Sequence, residues 1–165
     1  MKFNIALATR DQLPEIVAIY NSTIASRQVT ADLQSVSVMQ RQTWFEAHQR
    51  VNRPLYVMKE VSGSIVAWGS FSDYYPRAAY ERTAEISLYV AQNQRGKGVG
   101  QRLLYEMIQR APTLGIHKIV AVIFAHNTPS VALFRKNGFA LWGMLPEVCD
   151  LDGQLANIVI SGATV

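Results

Sequence analysis

The chain has 165 residues, of which 49% are hydrophobic and 17% charged, and its formal net charge at pH 7 is +4. This length and composition fit one compact domain over residues 1–165 and exclude a disordered chain. No apolar run reaches the roughly 18 residues that a membrane span needs, and the polar residues near the N-terminus predict no secretory segment. The single cysteine, Cys149, excludes an internal disulfide and a cysteine-rich zinc site, so we expect a cytoplasmic protein without a membrane partner.

The first half of the sequence predicts three strands and two helices. Phe3–Ala8 alternates loosely and predicts a strand, and Thr9 can cap a helix whose apolar residues recur at helical spacing. Residues 38–50 predict a second helix. The strands predicted over Leu55–Lys59 and Ile65–Ser72 are joined by a short turn into a hairpin.

The second half predicts four strands and two helices. Thr83–Val90 alternates, so that Glu85 points away from the apolar face of its strand. The nearly all-apolar stretch Lys118–Phe124 is typical of a strand buried on both faces. The remaining elements are a helix from Val99, a helix from Asn127-Thr128-Pro129 to Asn137-Gly138, and strands over Phe139–Leu145 and Leu155–Ile160 joined by an acidic turn at Asp150-Leu151-Asp152-Gly153. This order predicts a mixed α/β fold around one sheet.

A glycine-rich loop, Gln94-Arg95-Gly96-Lys97-Gly98-Val99-Gly100-Gln101, lies between a predicted strand and a predicted helix. Glycines let the backbone approach a ligand closely, and the N–H groups at the start of a helix attract anions. A Walker A loop is excluded because Gly98, not Ser or Thr, follows Lys97. The dinucleotide fingerprint is excluded because Gln101 stands where its last glycine belongs. The loop is therefore a phosphate site of another kind or a tight turn.

The pattern Arg95-x-x-Gly98-x-Gly100 resembles the pyrophosphate-binding motif of the GNAT superfamily of N-acetyltransferases. A second motif of that family follows, as Asn127-x-x-Ser130-x-x-Leu133-Phe134-x-Lys136-x-Gly138-Phe139. The resemblance implies a single-domain α/β fold of the GNAT type, with a mixed, mostly antiparallel sheet that is splayed at its central strand and flanked by helices. It also implies acetyl-CoA as the cosubstrate.

By the same resemblance, three parts of the chain would hold acetyl-CoA. They are the backbone of Leu88, Tyr89 and Val90 on the pantetheine arm, the loop residues Arg95, Gly96, Lys97, Gly98, Val99, Gly100 and Gln101 on the pyrophosphate, and Asn127, Ser130 and Lys136 along the arm and phosphates. For Asn127, an ordinary helix cap is the alternative.

Within the superfamily, the chain resembles the phosphinothricin and methionine sulfone N-acetyltransferase group. The matching stretches are Ile19-Tyr20-Asn21, Trp44-Phe45-x-x-His48, Arg77-Ala78-Ala79-Tyr80, Glu85-x-x-x-Tyr89-Val90 and His126-Asn127-x-Pro129-Ser130. This resemblance implies direct acetyl transfer, in a ternary complex, to the primary amine of a small amino acid or analogue. It further implies a homodimer, since dimers are common in the group.

Acetylation of an amine needs a group that accepts a proton, because most of the amine is protonated at neutral pH. Glu85 is the candidate base: glutamate is depleted in strands, and this one points away from the apolar face. The corresponding glutamate of the resembled group is the proposed general base. The alternative is a carboxylate at the rim in a surface ion pair with Arg82.

The aromatic loop from Tyr74 to Tyr80 is the candidate wall for the acceptor. Arg77 could clamp a carboxylate, with Ala78 beside it, while Tyr75 and Tyr80 could flank an apolar arm. Alternatively, these aromatics pack on the domain or on a second subunit. Trp44 and Phe45 are predicted to lie in the hydrophobic core and not in a pocket.

Two departures from the resembled group bear on the acceptor. Phe134 stands where many members have Tyr or His, and it cannot transfer a proton, so Tyr89, Tyr80 or water would have to substitute. The last strand reads Gly153-Gln154-Leu155-Ala156-Asn157, where the group has roughly Gly-x-Trp-x-Asp.

Three other functions stay open from the sequence. Residues 145–165 carry three acidic and no basic side chains, which could suit a peptide N-terminus or a polyamine as acceptor. A non-catalytic acyl-CoA-binding sensor would account for Phe134. A nucleic-acid binder would account for the charge of +7 over residues 1–144, but no basic run or nucleic-acid motif occurs, so we expect no such partner. The three histidines share no ligand spacing and predict no metal site.

Overall fold

The computed structural model describes residues 2–165. The chain folds into an open, seven-stranded mixed sheet with helices on both faces. The strands are β1 (Asn4–Leu7), β2 (Leu55–Lys59), β3 (Ile65–Asp73), β4 (Thr83–Val90), β5 (Lys118–Phe124), β6 (Ala140–Leu151) and β7 (Gln154–Thr164). The helices are α1 (Leu13–Asn21), α2 (Val38–Ala47), α3 (Val99–Arg110) and α4 (Thr128–Lys136). The strand order is β1-β2-β3-β4-β5-β7-β6. Across these described residues, no helix is both long and apolar enough to cross a membrane.

The element types and most of their bounds confirm the sequence predictions. β2, β4 and β5 have the predicted limits, and Thr9 caps a short 3-10 turn that leads into α1. The second helix is shorter than predicted and ends at Ala47, because the backbone N–H of His48 turns to the carbonyl of Phe45. The ring of His48 then binds the carbonyl of Trp44, which the next turn would have used.

The last two strands were predicted too short. β6 and β7 form a hairpin of 12 and 11 residues. Half of the predicted acidic turn, Asp150 and Leu151, belongs to β6, so that only Asp152 and Gly153 form the turn. Both turn residues have positive φ, as a two-residue hairpin turn of type I′ requires. An irregularity between Leu145 and Cys149, with Glu147 at φ 50°, interrupts the alternation that would have marked β6 as one strand.

The sheet splays at its centre, as the resemblance implied. Among the described strands, only β4 and β5 run parallel, and their pairing is limited to Thr83 with Lys118, Ala84 with Ile119 and Glu85 with Val120. Beyond Glu85, β4 stays paired with β3, whereas β5 stays paired with β7 as far as Phe124. The segment 86–90 therefore has no strand partner on its β5 side, and a wedge opens there.

Two hydrophobic cores hold β4 from opposite faces. On one face, α3 buries Leu103, Leu104 and Met107 against Ala84 and Ile86. On the other face, α1 and α2 pack on a core that includes the side chain of Tyr89, so the predicted alternation of β4 is confirmed. The prediction that β5 is buried on both faces is wrong at Val122, which is 41% exposed because it lines the wedge.

A buried arginine fixes the junction of β3 and β4. The side chain of Arg53 is 2% exposed, and its guanidinium donates to the backbone carbonyls of Glu81 (2.6 Å) and Thr83 (3.5 Å). Its Nε lies 2.8 Å from the carboxylate of Asp73. Arg53 thus joins the end of β3 to the start of β4, two residues before Glu85.

We expect the variant Arg53→Met to lower the free energy of unfolding by about 3 kcal/mol, because it removes a buried charged donor from two partly buried carbonyls and from Asp73. Chemical denaturation followed by circular dichroism measures the loss. The matched control is Arg50→Met, which also breaks a contact to Asp73 (2.8 Å) but from a side chain that is 51% exposed, so we expect a loss of about 1 kcal/mol or less. Equal losses in the two variants would contradict the role of burial.

Candidate active site

A groove of about 560 Å³ runs along the unpaired part of β4. Its walls are β4, the glycine-rich loop, the start of α4 and the segment that follows α1. A smaller cavity of about 60 Å³ lies inside the wedge and shares Leu88, Tyr89, Asn127 and Ser130 with the groove. The wedge and the groove therefore form one continuous path from the surface to the interior of the sheet.

The glycine-rich loop ends in a helix start that faces the groove. Gly98 precedes the first turn of α3 and has a φ of 78°. Residues other than glycine adopt this left-handed conformation only at a cost in free energy. The N–H groups of the first helical turn have no partner inside the helix, so Val99, Gly100 and Gln101 offer donors to an anion. Arg95 donates from Nε to the carbonyl of Val90 (3.2 Å), which ties the loop to the end of β4.

The start of α4 forms the opposite wall. The side chain of Asn127 accepts the N–H of Ser130 (3.3 Å), so the helix cap weighed as an alternative is present. Asn127 also lines the groove, and the cap uses only its oxygen, so its amide group stays available to a ligand. Gln101 and Asn137 exchange two amide hydrogen bonds (2.7 and 3.0 Å), which hold α3 beside α4.

Not every residue predicted to contact acetyl-CoA lines the groove. Those that do are Leu88, Tyr89, Val90, Arg95, Gly96, Gly98, Val99, Gly100, Gln101, Asn127 and Ser130. The side chains of Lys97 and Lys136 are exposed beyond its lining. Their predicted phosphate contacts remain predictions.

One wall of the groove was missed in the sequence. Thr23, Ser26, Gln28 and Val29, which follow α1, line the groove. The carbonyl of Arg27 accepts from His126 (2.9 Å), and the guanidinium of Arg27 pairs with Asp152 in the β6–β7 turn. Short polar residues after a helix look like any loop, so no sequence signal distinguishes this wall.

Glu85 occupies the point where the sheet opens. It is the last residue of β4 that pairs with β5, and its side chain is partly buried. Within residues 2–165, it takes part in no ion pair, and Arg82, the alternative partner, contacts His117 instead. Burial raises the pKa of the Glu85 carboxyl above its ordinary value of 4.5. A carboxylate that lacks a charged partner in this position can take up a proton from a ligand.

The side of β4 that carries Glu85 also carries Ser87 and Tyr89, and Tyr89 packs there on the core below α1 and α2. Cross-strand pairs follow one another along β3 and β4: Trp68 with Tyr89, Ser70 with Ser87, and Ser72 with Glu85. The rings of Trp68 and Tyr89 stack at 4.5 Å between centroids. Burial raises the pKa of Tyr89 well above its ordinary value, so this phenol stays protonated at neutral pH. Phe45 is buried in the core as predicted, and the partly buried Trp44 packs against that core, 5.3 Å from Trp68 between ring centroids.

The predicted acceptor wall lies at the Glu85 end of β4. Tyr75, Arg77, Ala78 and Tyr80 belong to the connection from β3 to β4, and all four are exposed. The rings of Tyr75 and Tyr80 lie 5.3 Å apart, so the loop aromatics pack on one another. None of the four lines the wedge or the groove. The roles predicted for them in acceptor binding remain predictions.

Phe134 lies in the wedge itself. Its ring is buried, meets Phe139 edge to face at 4.9 Å, and lines the small cavity beside Ser87 and Leu88. Many members of the resembled superfamily carry Tyr or His at this position, whereas this chain has an apolar ring that packs in the wedge.

Comparison with known proteins places this geometry among acetyltransferases. The model of the acetyltransferase (GNAT) family matches residues 16–139. The phosphinothricin acetyltransferase candidate YwnH of Bacillus subtilis (strain 168) is 48% identical over 158 residues, which cover 96% of each chain. An L-methionine sulfoximine/L-methionine sulfone acetyltransferase of Pseudomonas paraeruginosa (strain DSM 24068 / PA7) is 37% identical over 82% of this chain and 79% of that protein.

A solved structure shows the same fold with the cosubstrate bound. The crystal structure of a GNAT superfamily phosphinothricin acetyltransferase from Sinorhizobium meliloti in complex with AcCoA superposes with a TM-score of 0.94. It is 25% identical in sequence, and the match covers 100% of this chain and 89% of that chain.

We expect the variant Gly98→Ala to raise the dissociation constant for acetyl-CoA about tenfold, because a side chain at φ 78° strains the loop that presents the helix N–H groups. Isothermal titration calorimetry measures this constant. Gly115→Ala is the matched control: Gly115 has a similar φ of 74° but lies away from the groove. Both variants should lose about 1 kcal/mol of stability, and a control that also weakens binding would contradict the assignment.

Proposed function

The chain belongs to the GNAT family of acetyltransferases, and on that premise we propose that it transfers the acetyl group of acetyl-CoA to the primary amine of a small amino acid or analogue. The observation that carries the proposal is Glu85, a partly buried carboxylate without an ion-pair partner in residues 2–165, placed where β4 and β5 separate. We further propose that the transfer is direct, within a ternary complex of enzyme, acetyl-CoA and amine.

The groove fits the chemistry of acetyl-CoA along its length. The helix start behind Gly98 offers N–H donors to a pyrophosphate, with Arg95 nearby to add positive charge. The segment 86–90 has backbone groups without a strand partner on its open side, which can pair with the amide groups of the pantetheine arm. The wedge then leads from the groove to Ile86, the residue that follows Glu85 on β4.

In the proposed reaction, Glu85 accepts one proton from the ammonium group of the acceptor. The nitrogen lone pair forms the new bond to the acetyl carbon while the bond from that carbon to sulfur breaks. A backbone N–H near Val90 stabilises the negative charge on the carbonyl oxygen. The second proton of the nitrogen goes to the leaving thiolate, and Glu85 returns its proton to water. The pKa of a thiol is about 8.5, so a thiolate leaves readily without a dedicated acid. The reaction therefore does not require an acidic side chain at the position of Phe134.

The acceptor is proposed to be an acid of the phosphinothricin or methionine sulfone type. The relatives carry such substrates in their names, and Arg77 forms no ion pair within the described residues, so it is available for a carboxylate. A cationic acceptor has less support. Of the acidic residues near the C-terminus, Asp152 pairs with Arg27 and Asp150 accepts the N–H of Gly153.

An acyl-CoA sensor without turnover is the weaker alternative. A sensor needs the groove but has no use for a partly buried carboxylate without an ion-pair partner, whose retention costs stability. We also infer a cytoplasmic location, because acetyl-CoA is the proposed cosubstrate and the single cysteine, Cys149, is free.

We propose that the enzyme forms a homodimer through β6. This strand lies at the edge of the sheet and exposes a strip of large apolar side chains, each between 46% and 68% exposed: Leu141, Trp142, Met144, Leu145 and Val148. Monomeric proteins seldom expose such a strip, and an unprotected edge strand is a template for pairing with a second chain. A two-fold axis would place the strips of two copies against each other.

Release of CoA thiol from acetyl-CoA tests the substrate class. We expect turnover with methionine sulfone or phosphinothricin, and none with spermidine or a basic peptide. The variant Arg77→Gln should raise KM for the acidic acceptor about tenfold, because it removes a charged hydrogen bond. For the amide of the same acceptor, which lacks the carboxylate, KM should be equal in the wild-type enzyme and the variant. Turnover with spermidine alone would contradict the proposed acceptor, and acetyl-CoA binding without turnover on any amine would favour the sensor.

The variant Glu85→Gln should lower kcat about a hundredfold or more, because it removes the base. In the wild-type enzyme, the rate should fall with decreasing pH as the carboxylate becomes protonated, and burial places this fall above the ordinary glutamate pKa of 4.5. A pH–rate profile of both enzymes measures this limb, which the variant should lack. Glu81→Gln, at an exposed side chain four residues away, is the control with an unchanged profile. An unchanged profile in Glu85→Gln as well would exclude Glu85 as the base.

The variant Met144→Lys should convert the dimer into a monomer, because it places two charges in the proposed interface. Size-exclusion chromatography with light scattering gives the mass. Tyr105→Lys, at a residue of α3 that is 49% exposed against 57% for Met144, should leave the dimer intact. A wild-type protein with the 18.4 kDa mass of one chain would contradict this proposal.

A further inference from the structure

A buried histidine reaches the residue that lies opposite Glu85. His48, directly after α2, is 6% exposed. Its Nδ1 lies 2.7 Å from the carbonyl oxygen of Trp44, and its Nε2 lies 2.9 Å from Oγ of Ser72. Ser72 belongs to β3 and is the partner of Glu85 in the β3–β4 register. His48 is therefore hydrogen-bonded to the residue that stands opposite the candidate base in the sheet.

The partners of His48 determine which of its nitrogens carries the hydrogen. A carbonyl oxygen can only accept, so Nδ1 must donate to Trp44. Burial lowers the pKa of His48 below its ordinary value of 6.5, so the ring is neutral at pH 7 and has one hydrogen. Nε2 is then an acceptor, and the hydroxyl of Ser72 must donate to it.

This arrangement turns the lone pairs of Ser72 Oγ away from His48. Opposite residues of an antiparallel pair have side chains on the same face, with Cβ atoms about 5 Å apart. Both side chains are partly exposed, so a ligand can reach them from this face. Oγ of Ser72 and the carboxylate of Glu85 therefore form two neighbouring acceptors that no described residue bridges.

We propose that His48 is a positioning residue for acetyl transfer and that Ser72 is the second acceptor for the ammonium group of the substrate. The inference rests on the proposed function, because it assigns the residues that orient the amine for that reaction. His48 holds the hydroxyl hydrogen of Ser72, so Oγ can only accept on its open side. One N–H of the ammonium group donates to Ser72, and a second N–H donates to Glu85.

The two acceptors make the proton transfer directional. Glu85 takes the proton of the N–H that points to it, so the lone pair first lies where that bond was. The N–H on Ser72 remains bonded and holds the neutral amine in place while its lone pair turns from Glu85 to the acetyl carbon. No bond to His48 or Ser72 forms or breaks, so both act only through orientation. A hydroxyl free to rotate could instead point its hydrogen at the ammonium group, which would repel it.

Steady-state kinetics of single and double variants tests the proposal. With saturating acetyl-CoA, Ser72→Ala should lower kcat/KM for the amine about tenfold, the effect of one hydrogen bond to a charged group. His48→Ala should lower it by a similar factor, and the double variant should be no worse than either single variant, because His48 acts through Ser72. KM for acetyl-CoA should stay unchanged in all three. His48→Gln, whose amide oxygen can accept the same hydrogen, should recover activity relative to His48→Ala.

Controls and a second readout separate this role from a structural one. Ser62→Ala removes a hydroxyl from the exposed β2–β3 turn and should leave every constant unchanged. Histidine ¹⁵N resonances of the wild-type protein should show Nδ1 of His48 protonated and Nε2 unprotonated. The reverse tautomer, losses that multiply in the double variant, or an equal rise in KM for acetyl-CoA would overturn the proposal. If His48→Ala does not fold, Ser72→Ala and the tautomer decide it.

The outcome also distinguishes this inference from the function on which it rests. Wild-type turnover with unchanged kinetics in Ser72→Ala would overturn the positioning role alone. A wild-type protein that acetylates no amine would overturn the proposed function and this inference together.

Discussion

The separation of β4 from β5 is the constraint on which the rest of the structure depends. Backbone N–H and C=O groups inside a sheet are normally paired, and leaving several of them unpaired is unfavourable. Here the pairing stops at Glu85 and Val120, and each strand keeps its other neighbour, so β4 is held by β3 while β5 is held by β7. The sheet thus keeps an open edge in its own interior. Such an edge is stable when the fold fixes both sides of it and a ligand supplies the missing partners.

The elements around the opening divide the chemistry between two faces of β4. On the face of α3, the glycine-rich loop and the start of α4 offer donors suited to phosphates and amides. On the other face, the pairs along β3 and β4 end in Ser72 and Glu85, a polar pair beside an aromatic core. Arg53 fixes the junction of the two strands near this pair from within the protein. Cosubstrate and acceptor would therefore meet through the sheet, across the opening itself.

The sequence predicts those parts that depend on local patterns. β2, β4 and β5 are short runs of alternating or apolar residues between turn signals, and their bounds were predicted correctly. Both binding motifs combine a strand or loop with a helix start, which also are local features. β6 was predicted too short because its irregularity breaks the alternation on which the prediction relies. The register that places Ser72 opposite Glu85 and the contact from His48 to Ser72 depend on tertiary packing, so no sequence pattern contains them.

Hydrogen–deuterium exchange with and without acetyl-CoA tests the central claim, that the open edge of β4 is the binding surface for the acetyl-CoA arm. We predict slower exchange of amide hydrogens in residues 86–90 and in the loop 95–101 when acetyl-CoA is bound, and unchanged exchange in β1, at the far edge of the sheet. Binding that leaves exchange in residues 86–90 unchanged, or that protects another part of the chain instead, would contradict the account.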